Sequence, residues 1–255
     1  MEINQIRNAT IIVKYAGKKI LVDPMLADKG TLPTTPIPAK TWNFKKNPLH
    51  ELPVAKEEIV KDVDFVFLSH LHFDHWDNAA KDALPKDIKI FVQDEADKKK
   101  IEKAGFTNVE ILTENSSFGD IQLFRTKAQH GKGYMLKLAG HVCGLVLKHP
   151  SEKTLYIVAD TVWYEGVQEA IDKYRPEIMV VNGGDNQFFF GGPVIMGKND
   201  IYKVHKASPN ATIVVSHMEG VNHNTLTRTA LKEFINEKNI KDKVLVPDDG
   251  ESYTF

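Results

Sequence analysis

A short segment reads Ser69-His70-Leu71-His72-Phe73-Asp74-His75-Trp76-Asp77, and four side chains that can bind a metal ion fall within residues 70–75. The apolar run 63–68, broken only by Asp64, precedes it and predicts a buried strand. Residues 77–84 predict a short helix, because Pro85 follows them. The histidines therefore leave the end of a rigid strand, where open α/β sheets place ligand sites. Imidazoles and a carboxylate this close together favour a metal site over isolated surface histidines.

The composition is that of an ordinary globular chain, with 255 residues, 42% hydrophobic and 26% charged. That length can bury a sizeable core, and neither a repeat nor a flexible linker divides it, so we expect one domain over residues 1–255. The 33 basic and 34 acidic residues leave a net charge of -1. This balance argues against nucleic acid as a partner, because no overall positive field attracts phosphates. The lysine run 98–100 is interleaved with acidic residues and predicts a solvated helix face.

The single cysteine and the lack of long apolar segments indicate the compartment. Cys143 cannot form an internal disulfide, which fits a reducing environment. Its apolar neighbours predict a small buried residue in a strand, with metal binding or nucleophilic attack as alternatives. The N-terminus lacks the apolar core of a signal peptide, and no stretch reaches the roughly 20 apolar residues that span a bilayer. We therefore expect a cytoplasmic protein without membrane insertion.

Three more candidate ligands each follow a predicted apolar strand, and these are His130, Asp160 and His217. The alternatives are a loop role for His130 and a helix-capping role for Asp160. His223 competes with His217 as a ligand, and it could instead donate a proton or contact the substrate. His217 is favoured as the ligand because a strand end would hold it rigidly.

The order of these residues resembles the signature of the metallo-β-lactamase fold superfamily over nearly the whole chain. Segment 69–77 carries the His-x-His-x-Asp-His pattern, and His72 stands where a Glu would indicate the iron flavoproteins of that superfamily. The predicted hairpin 9–22 ends in Asp23-Pro24, which is similar to the superfamily's opening strands, and the aspartate either supports the site or makes a plain turn. Ala159 replaces the glycine of the usual Gly-Asp-Thr pattern. The length and the opening also look like the stand-alone ascorbate-6-phosphate lactonase group and the phospholipase D-type relatives.

The resemblance implies a four-layer αββα sandwich with α/β and α+β character, in which two mixed β-sheets have helices on the outside. It also implies two divalent metal ions per chain, with zinc as the main candidate and manganese or iron as alternatives. The implied ligands are His70, His72 and His130 for one metal, Asp74, His75 and His217 for the second, and Asp160 as the bridge between them.

The implied activity is hydrolysis of a small ester-type substrate, a lactone or a phosphoester, by a hydroxide that bridges the metals. Asp74 or His223 would protonate the leaving group. A nuclease or phosphodiesterase of large substrates is an alternative on the same metals, and the near-zero net charge disfavours it. A non-catalytic metal-bound sensor or scaffold is a further alternative, which the intact motif disfavours.

Aromatic and polar residues near strand ends are the candidate substrate contacts, namely Trp163, Tyr164, Asp185 and Asn186. The proline-rich loop 26–54 carries Trp42 and Phe44. We interpret this loop either as a lid or wall of the substrate cleft or as a segment that packs its aromatics over the core. The expected partner is a small molecule, and the sequence leaves a homo-oligomer open.

Overall fold

The computed structural model describes residues 1–36, 43–189 and 191–255, which form two seven-stranded sheets and a small hairpin. The first sheet contains, in spatial order, β16 (Ser252–Thr254), β1 (Glu2–Arg7), β2 (Thr10–Tyr15), β3 (Lys18–Val22), β4 (Phe65–Phe67), β5 (Lys89–Val92) and β6 (Val109–Ile111). The second sheet contains β15 (Val244–Leu245), β14 (Thr212–Ser216), β11 (Ile178–Asn182), β10 (Glu152–Ile157), β9 (Cys143–His149), β8 (Ile121–Lys127) and β7 (Ser116–Phe118). The hairpin pairs β12 (Gln187–Phe188) with β13 (Gly192–Pro193). The helices in these parts of the chain are α1 (Lys56–Val60), α2 (Asn78–Ala83), α3 (Glu95–Lys103), α4 (Met135–Ala139), α5 (Glu165–Tyr174), α6 (Lys198–Ala207) and α7 (Arg228–Glu237).

Both large sheets are mixed. In the first sheet, β1, β2 and β3 are antiparallel neighbours, and β3, β4, β5 and β6 are parallel. In the second sheet, β7 to β10 are antiparallel, and β10, β11, β14 and β15 are parallel. The carboxyl ends of parallel strands meet at one edge of their sheet, which is where ligand sites form in such folds. The residues that follow β4 therefore lie at that edge of the first sheet. Those that follow β10 and β14 lie at that edge of the second sheet.

Three hydrophobic clusters hold four layers together. The cluster between the two sheets takes residues from both, among them Val13 and Val180. The outer face of the first sheet packs on α1, α2 and α3, with Ile59 and Ile101 in the contact. The outer face of the second sheet packs on α5, α6 and α7, with Leu231 in the contact. This layer order is the αββα sandwich that the sequence predicts.

The apolar runs of the central strands follow from this double burial. Along β11, Val180 faces the space between the sheets and Val181 faces the helices. Along β2, Val13 and Ile12 divide in the same way between the inner and the outer cluster. Successive side chains of a strand point to opposite faces, so a strand covered on both faces needs apolar residues at every position.

The described part of loop 26–54 is tied to the segment that follows β14. Leu32 and Asn47 form an isolated β-bridge. The Asn47 Nδ2 donates to the Asn222 Oδ1 at 3.0 Å. Phe44 is 59% exposed, so more than half of its side chain is open to solvent. Trp42, the other aromatic residue of the prediction, lies outside the described residues.

Arg7 is a buried cation that fixes the backbone beyond the end of β3. Its side chain is 0% exposed. The guanidinium Nη2 donates to the carbonyls of Met25 and Ala27, both at 2.8 Å, and Nη1 donates to the carbonyl of His50 at 2.9 Å. These bonds hold the start of loop 26–54 against the first sheet.

Replacing Arg7 with methionine is expected to lower the free energy of unfolding by about 3 kcal/mol or more. The carbonyls that accept from Arg7 would lose their hydrogen-bond donor, and each buried carbonyl left unsatisfied costs about 1–3 kcal/mol. Urea titration followed by circular dichroism measures this loss. The control is Arg175→Met, which changes an exposed arginine at the end of α5 and should cost less than about 0.5 kcal/mol. Equal stabilities of the two variants would contradict a structural role for Arg7.

Candidate metal centre

The segment between β4 and α2 folds into a tight turn that carries four of the predicted ligands. The backbone N–H groups of His75 and Trp76 both donate to the carbonyl of His72 at 2.9 Å. Asp77 ends the turn, because its side chain accepts a hydrogen bond from the Ala80 N–H and caps α2. The predicted strand, turn and helix are therefore present, and the turn lies at the edge of the first sheet where β4 ends.

The second sheet supplies the remaining predicted ligands. His130 follows β8, Asp160 follows β10 and His217 follows β14. With the turn residues they form three overlapping groups whose ligand atoms lie within 4.8 Å of one another, and these groups are His70, His72 and His130; His70, His75 and Asp160; and Asp74, His75 and His217. All the residues predicted as ligands thus come together, although they come from both sheets.

Asp160 lies at the centre of this cluster. Its Oδ2 is 3.3 Å from the Nε2 of His75 and 3.7 Å from the Nε2 atoms of both His130 and His217. The Nε2 of His70 is 4.0 Å away. The N-cap of the following helix, α5, is Tyr164, so Asp160 does not cap it. One carboxylate therefore faces imidazoles of both predicted metal sets.

Hydrogen bonds outside the cluster orient its rings. The Asp23 Oδ2 lies 2.9 Å from the Nδ1 of His75 and accepts a bond from the Ser69 hydroxyl at 2.6 Å. The Nδ1 of His130 lies 2.9 Å from the carbonyl of Val194, to which it donates. A histidine that donates through Nδ1 presents the lone pair of Nε2 to the opposite side, which is the arrangement of metal-binding histidines. Asp23 thus supports the site and is not a plain turn residue.

Two asparagines that the sequence analysis missed position the carboxylates. The Asn182 Nδ2, at the end of β11, donates to the Oδ1 of Asp160 at 2.6 Å. The Asn8 Nδ2 donates to the carbonyl of Asp74 at 3.1 Å, while the Asn8 carbonyl accepts from the His217 N–H at 2.9 Å. Asn8 therefore joins a candidate ligand of the first sheet to a candidate ligand of the second. Asparagine is too common in turns for either position to stand out in the sequence.

The backbone is strained around the cluster. Non-glycine residues adopt left-handed φ angles at Asn8 (55°), Asp23 (44°), Ala159 (61°) and His217 (59°). Such a conformation costs on the order of 1–3 kcal/mol per residue and persists where function requires it. The angle at Ala159 explains why a glycine suits this position in the pattern that the chain resembles.

Burial and mutual charge set the protonation of the cluster. Burial holds the pKa of His70 well below its ordinary value and lowers the pKa of His72 to about 4. Burial alone would raise the pKa of Asp160, but His75, His217 and His130 outweigh it and hold that pKa well below the usual range. Burial opposes protonation of His75, but Asp160, Asp74 and Asp23 raise its pKa well above the ordinary value. The cluster thus keeps its carboxylates ionised.

The donor set fits divalent metal ions. The Nε2 of His70 lies 2.9 Å from the Nδ1 of His72, and the Nε2 atoms of His75 and His217 lie 3.2 Å apart. Facing ring nitrogens this close, with ionised carboxylates between them, are the ligands that zinc, manganese and iron take in proteins.

A cavity of about 420 Å³ opens on the cluster. Its polar side is formed by His72, Asp74, His130, Asp160 and His223 with Thr35. Its apolar side is formed by Pro36, Phe73, Tyr134, Met135, Leu138, Ala139, Phe188 and Val194. Thr35 and Pro36 belong to loop 26–54, so part of that loop is a wall of the cleft. No lysine or arginine is among the described residues that line the cavity.

A model of the beta-lactamase superfamily domain matches residues 18–218. The chain belongs to the beta-lactamase superfamily. Its αββα sandwich is the metallo-β-lactamase fold that the sequence resemblance implies.

Relatives of this superfamily member resemble it along their whole length. The UPF0173 protein YddR of Bacillus subtilis (strain 168) is 56% identical over 100% of both chains. The crystal structure of an isothiocyanate hydrolase from Delia radicum gut bacteria has 44% identity and a TM-score of 0.95, and covers 100% of this chain and 99% of its own. The structure of a possible metal-dependent hydrolase from Veillonella parvula DSM 2008 has 35% identity and a TM-score of 0.96, with the same coverage.

His217 and His223 take different places in this superfamily member. His217 belongs to one of the three ligand groups, whereas His223 does not. His223 lines the cavity, and its Nε2 lies 3.2 Å from the Asn186 Nδ2. Its Nδ1 is buried and has no hydrogen-bond partner among the residues that the structure describes. Burial lowers the pKa of His223 to about 4, so the ring is neutral at neutral pH.

The residues predicted to contact substrate lie outside the cavity lining. Trp163 and Tyr164 pack against the hydrophobic cluster under α5. Asp185 accepts hydrogen bonds from Gln187 and Thr225. Asn186 is 1% exposed and donates a hydrogen bond to the Nε2 of His223. The apolar residues around α4 line the cavity instead, and the sequence analysis missed them because that segment reads as a glycine-containing loop.

Among the described residues, no helix combines the length and the apolar character needed to cross a bilayer.

Proposed function

We propose that this member of the beta-lactamase superfamily is a metal-dependent hydrolase with two divalent ions, acting on a small neutral substrate. The observation that carries the proposal is the position of the Asp160 Oδ2, within 4.0 Å of imidazole nitrogens from both ligand sets. A carboxylate in that position can bridge two metals. We further propose that residues 1–255 act as one hydrolase domain, since both sheets contribute ligands.

The two sets would each hold one ion. His70, His72 and His130 would hold the first, and Asp74, His75 and His217 the second, with Asp160 shared. Two bound divalent ions would supply Lewis acidity and a water-derived nucleophile at neutral pH. Zinc suits this mixture of imidazoles and carboxylates, and manganese or iron is the alternative.

His223 is assigned to the substrate as a hydrogen-bond donor, because a ring that is neutral at neutral pH has no acidic proton for the leaving group. Asp74 accepts from Asn8 and lies 3.3 Å from the Nε2 of His217, an environment that suits an ionised ligand and not an acid. The Nε2 of His223 accepts from Asn186, so its proton is on Nδ1, which has no partner in the described part of the chain. Such a group can donate to charge that develops on the substrate.

The cavity favours reaction at a carbon atom of a neutral molecule. Its lining residues include no lysine or arginine in the described chain, and a phosphoester or nucleic acid would lack a cationic partner there beyond the metals. An isothiocyanate is the first candidate, because a relative with 44% identity is an isothiocyanate hydrolase. Water would add to the central carbon of R–N=C=S and the C–N bond would break, giving the amine R–NH2 and carbonyl sulfide. A lactone is the second candidate on the same chemistry.

Metal content tests the centre itself. Elemental analysis of protein purified without added metal or chelator should find about two equivalents per chain, as a two-metal site requires. The His72→Ala variant should lose metal, because His72 belongs to the first ligand set. One equivalent in the natural chain would remove the role of Asp160 as a bridge. No metal, even after reconstitution with zinc and manganese, would favour a non-catalytic scaffold.

A substrate screen tests the reaction. Metal-loaded protein is incubated with phenethyl isothiocyanate, a γ-lactone, a phosphodiester and labelled RNA, each beside the His72→Ala variant. Metal-dependent release of the amine is expected, with no cleavage of the phosphodiester or the RNA above the variant. Cleavage of RNA at the higher rate would replace this proposal with the nuclease alternative.

A further inference from the structure

We propose that the segment around α4 forms a subsite for an apolar substituent of the substrate, and that Leu138 is its specificity-determining residue. This inference rests on the proposed function and gives the substrate class: a neutral molecule in which an alkyl or arylalkyl group is attached to the electrophilic carbon or its nitrogen. The segment comprises residues 131–140.

The cavity is divided into a reacting side and an apolar side. The apolar side owes four of its residues to the α4 segment, and these are Tyr134, Met135, Leu138 and Ala139. Phe188 and Phe73 contribute aromatic surface to the same cavity. A substrate whose electrophilic carbon meets the ligand cluster must therefore extend its remaining atoms over apolar surface.

Leu138 is exposed to an unusual degree for a cavity residue. It is 71% exposed and lines the cavity, whereas Leu136 of the same helix is 38% exposed and does not line it. Tyr134, at the start of the segment, is 54% exposed. Covering such surface with an apolar ligand contributes favourable free energy in proportion to the area removed from water.

Close packing holds the segment in its place. A Cβ at Gly131 would lie 3.0 Å from the Met135 Cβ, and a Cβ at Gly191 would lie 2.4 Å from the Met135 Cγ and 2.9 Å from the Tyr134 Oη. Both glycines also have left-handed φ angles, 98° and 105°. The missing side chains make room for Met135, so the subsite has a fixed wall on its inner side while Leu138 forms its outer rim.

The charges near the segment do not favour an anionic substituent. Lys132 and Lys137 are exposed on it, but neither lines the cavity. Among the described residues, the ionised groups that line the cavity are the carboxylates Asp74 and Asp160. An anionic tail would meet these carboxylates without a cationic side chain from the described part of the lining, whereas a neutral tail is not repelled.

The turnover test compares isothiocyanates from methyl to hexyl and phenethyl on metal-loaded protein. Each methylene that is buried should raise kcat/KM about threefold to fourfold until the cavity is filled. Leu138→Ala should raise KM for the longer substrates by about three- to tenfold and leave kcat unchanged, since the contact is equal in ground and transition states. Leu136→Ala is the matched control and should keep the natural values.

A binding test needs no turnover. The neutral fluorophore N-phenyl-1-naphthylamine is titrated into metal-loaded protein and displaced with 2-phenylethanol. Binding should weaken at least about threefold in Leu138→Lys, while Leu136→Lys, which places the same charge on the same helix, should bind as the natural chain does.

The outcomes separate the two proposals. If no isothiocyanate is turned over but Leu138→Lys alone weakens the fluorophore, the subsite stands and the proposed reaction fails. If turnover shows no dependence on chain length, or if the position 136 and position 138 variants behave alike in both tests, the subsite is refuted while the hydrolase proposal stands.

Discussion

Asp160→Ala is expected to abolish hydrolysis and to lower the metal content of the purified chain. The Oδ2 of Asp160 faces His70, His75, His130 and His217 at 3.3–4.0 Å, so its removal takes away the carboxylate shared by both ligand sets. Loss of several kcal/mol of charge stabilisation corresponds to a fall in kcat/KM of at least about 1,000-fold. Elemental analysis and a turnover assay on the same preparation measure the two effects together.

The control for this variant is Asp120→Ala, because Asp120 is exposed in the turn between β7 and β8. It should retain metal and activity. Circular dichroism establishes that both variants are folded, so that loss of metal in Asp160→Ala is not loss of the fold. Full activity in folded Asp160→Ala would remove the two-metal mechanism altogether.

Asp23→Asn is expected to weaken metal binding about 10- to 100-fold, although Asp23 belongs to none of the ligand groups. The carboxylate accepts bonds from the Ser69 N–H and hydroxyl and from His75 Nδ1. An amide of the same shape has one acceptor oxygen, so its NH2 group must face at least one of these donors. His75 then loses its fixed ring orientation. The unsatisfied buried donor also lowers the free energy of unfolding by about 1–3 kcal/mol.

Competition with a chelating dye measures the metal affinity of this variant. The control is Asp62→Asn, since Asp62 has the same left-handed backbone (φ 55°, against 44° at Asp23) and is exposed. Asparagine tolerates that conformation at both positions, so any difference between the variants comes from the lost acceptor. Unchanged affinity in Asp23→Asn would mean that the ring of His75 is oriented by the metal alone.

The candidate ligands could be predicted from the sequence because each depends on a local signal. His70 to His75 stand together in one segment, and His130, Asp160 and His217 each follow a readable apolar strand. The fold was implied by the resemblance to the metallo-β-lactamase superfamily, which rests on the order of these residues. Their metal-binding role stays a prediction until metal is measured.

The two supporting asparagines could not be predicted because their partners are distant in the chain, whereas a supporting role for Asp23 was one of two alternatives. Asn8 contacts Asp74 across 66 positions, and Asn182 contacts Asp160 across 22. Strand β1 escaped prediction for a related reason, since Gln5 and Arg7 are polar yet buried, held by backbone carbonyls. Buried polar side chains of this kind are satisfied by hydrogen-bond partners that the fold brings close, so they leave no apolar pattern in the sequence.

Contacts near the site also fix where one helix begins. Helix α7 begins at Arg228, with Thr227 as its cap. Asn224 is used elsewhere, because its Nδ2 donates to the carbonyl of His217. The segment before α7 thus contacts the segment of His217 instead of continuing the helix. This is a tertiary effect that local helix propensity does not predict.

The burial of Cys143 has a chemical consequence for the proposed reaction with an electrophilic substrate. The residue lies on β9 in the cluster between the sheets with 0% exposed, and burial raises the pKa of its thiol to about 12. Electrophilic carbons are attacked by thiolates and not by thiols. Since this is the only cysteine of the chain, no accessible thiol is present for an electrophile to modify. The isothiocyanate proposed as substrate would therefore form no dithiocarbamate with this chain under conditions in which the fold stays closed around Cys143.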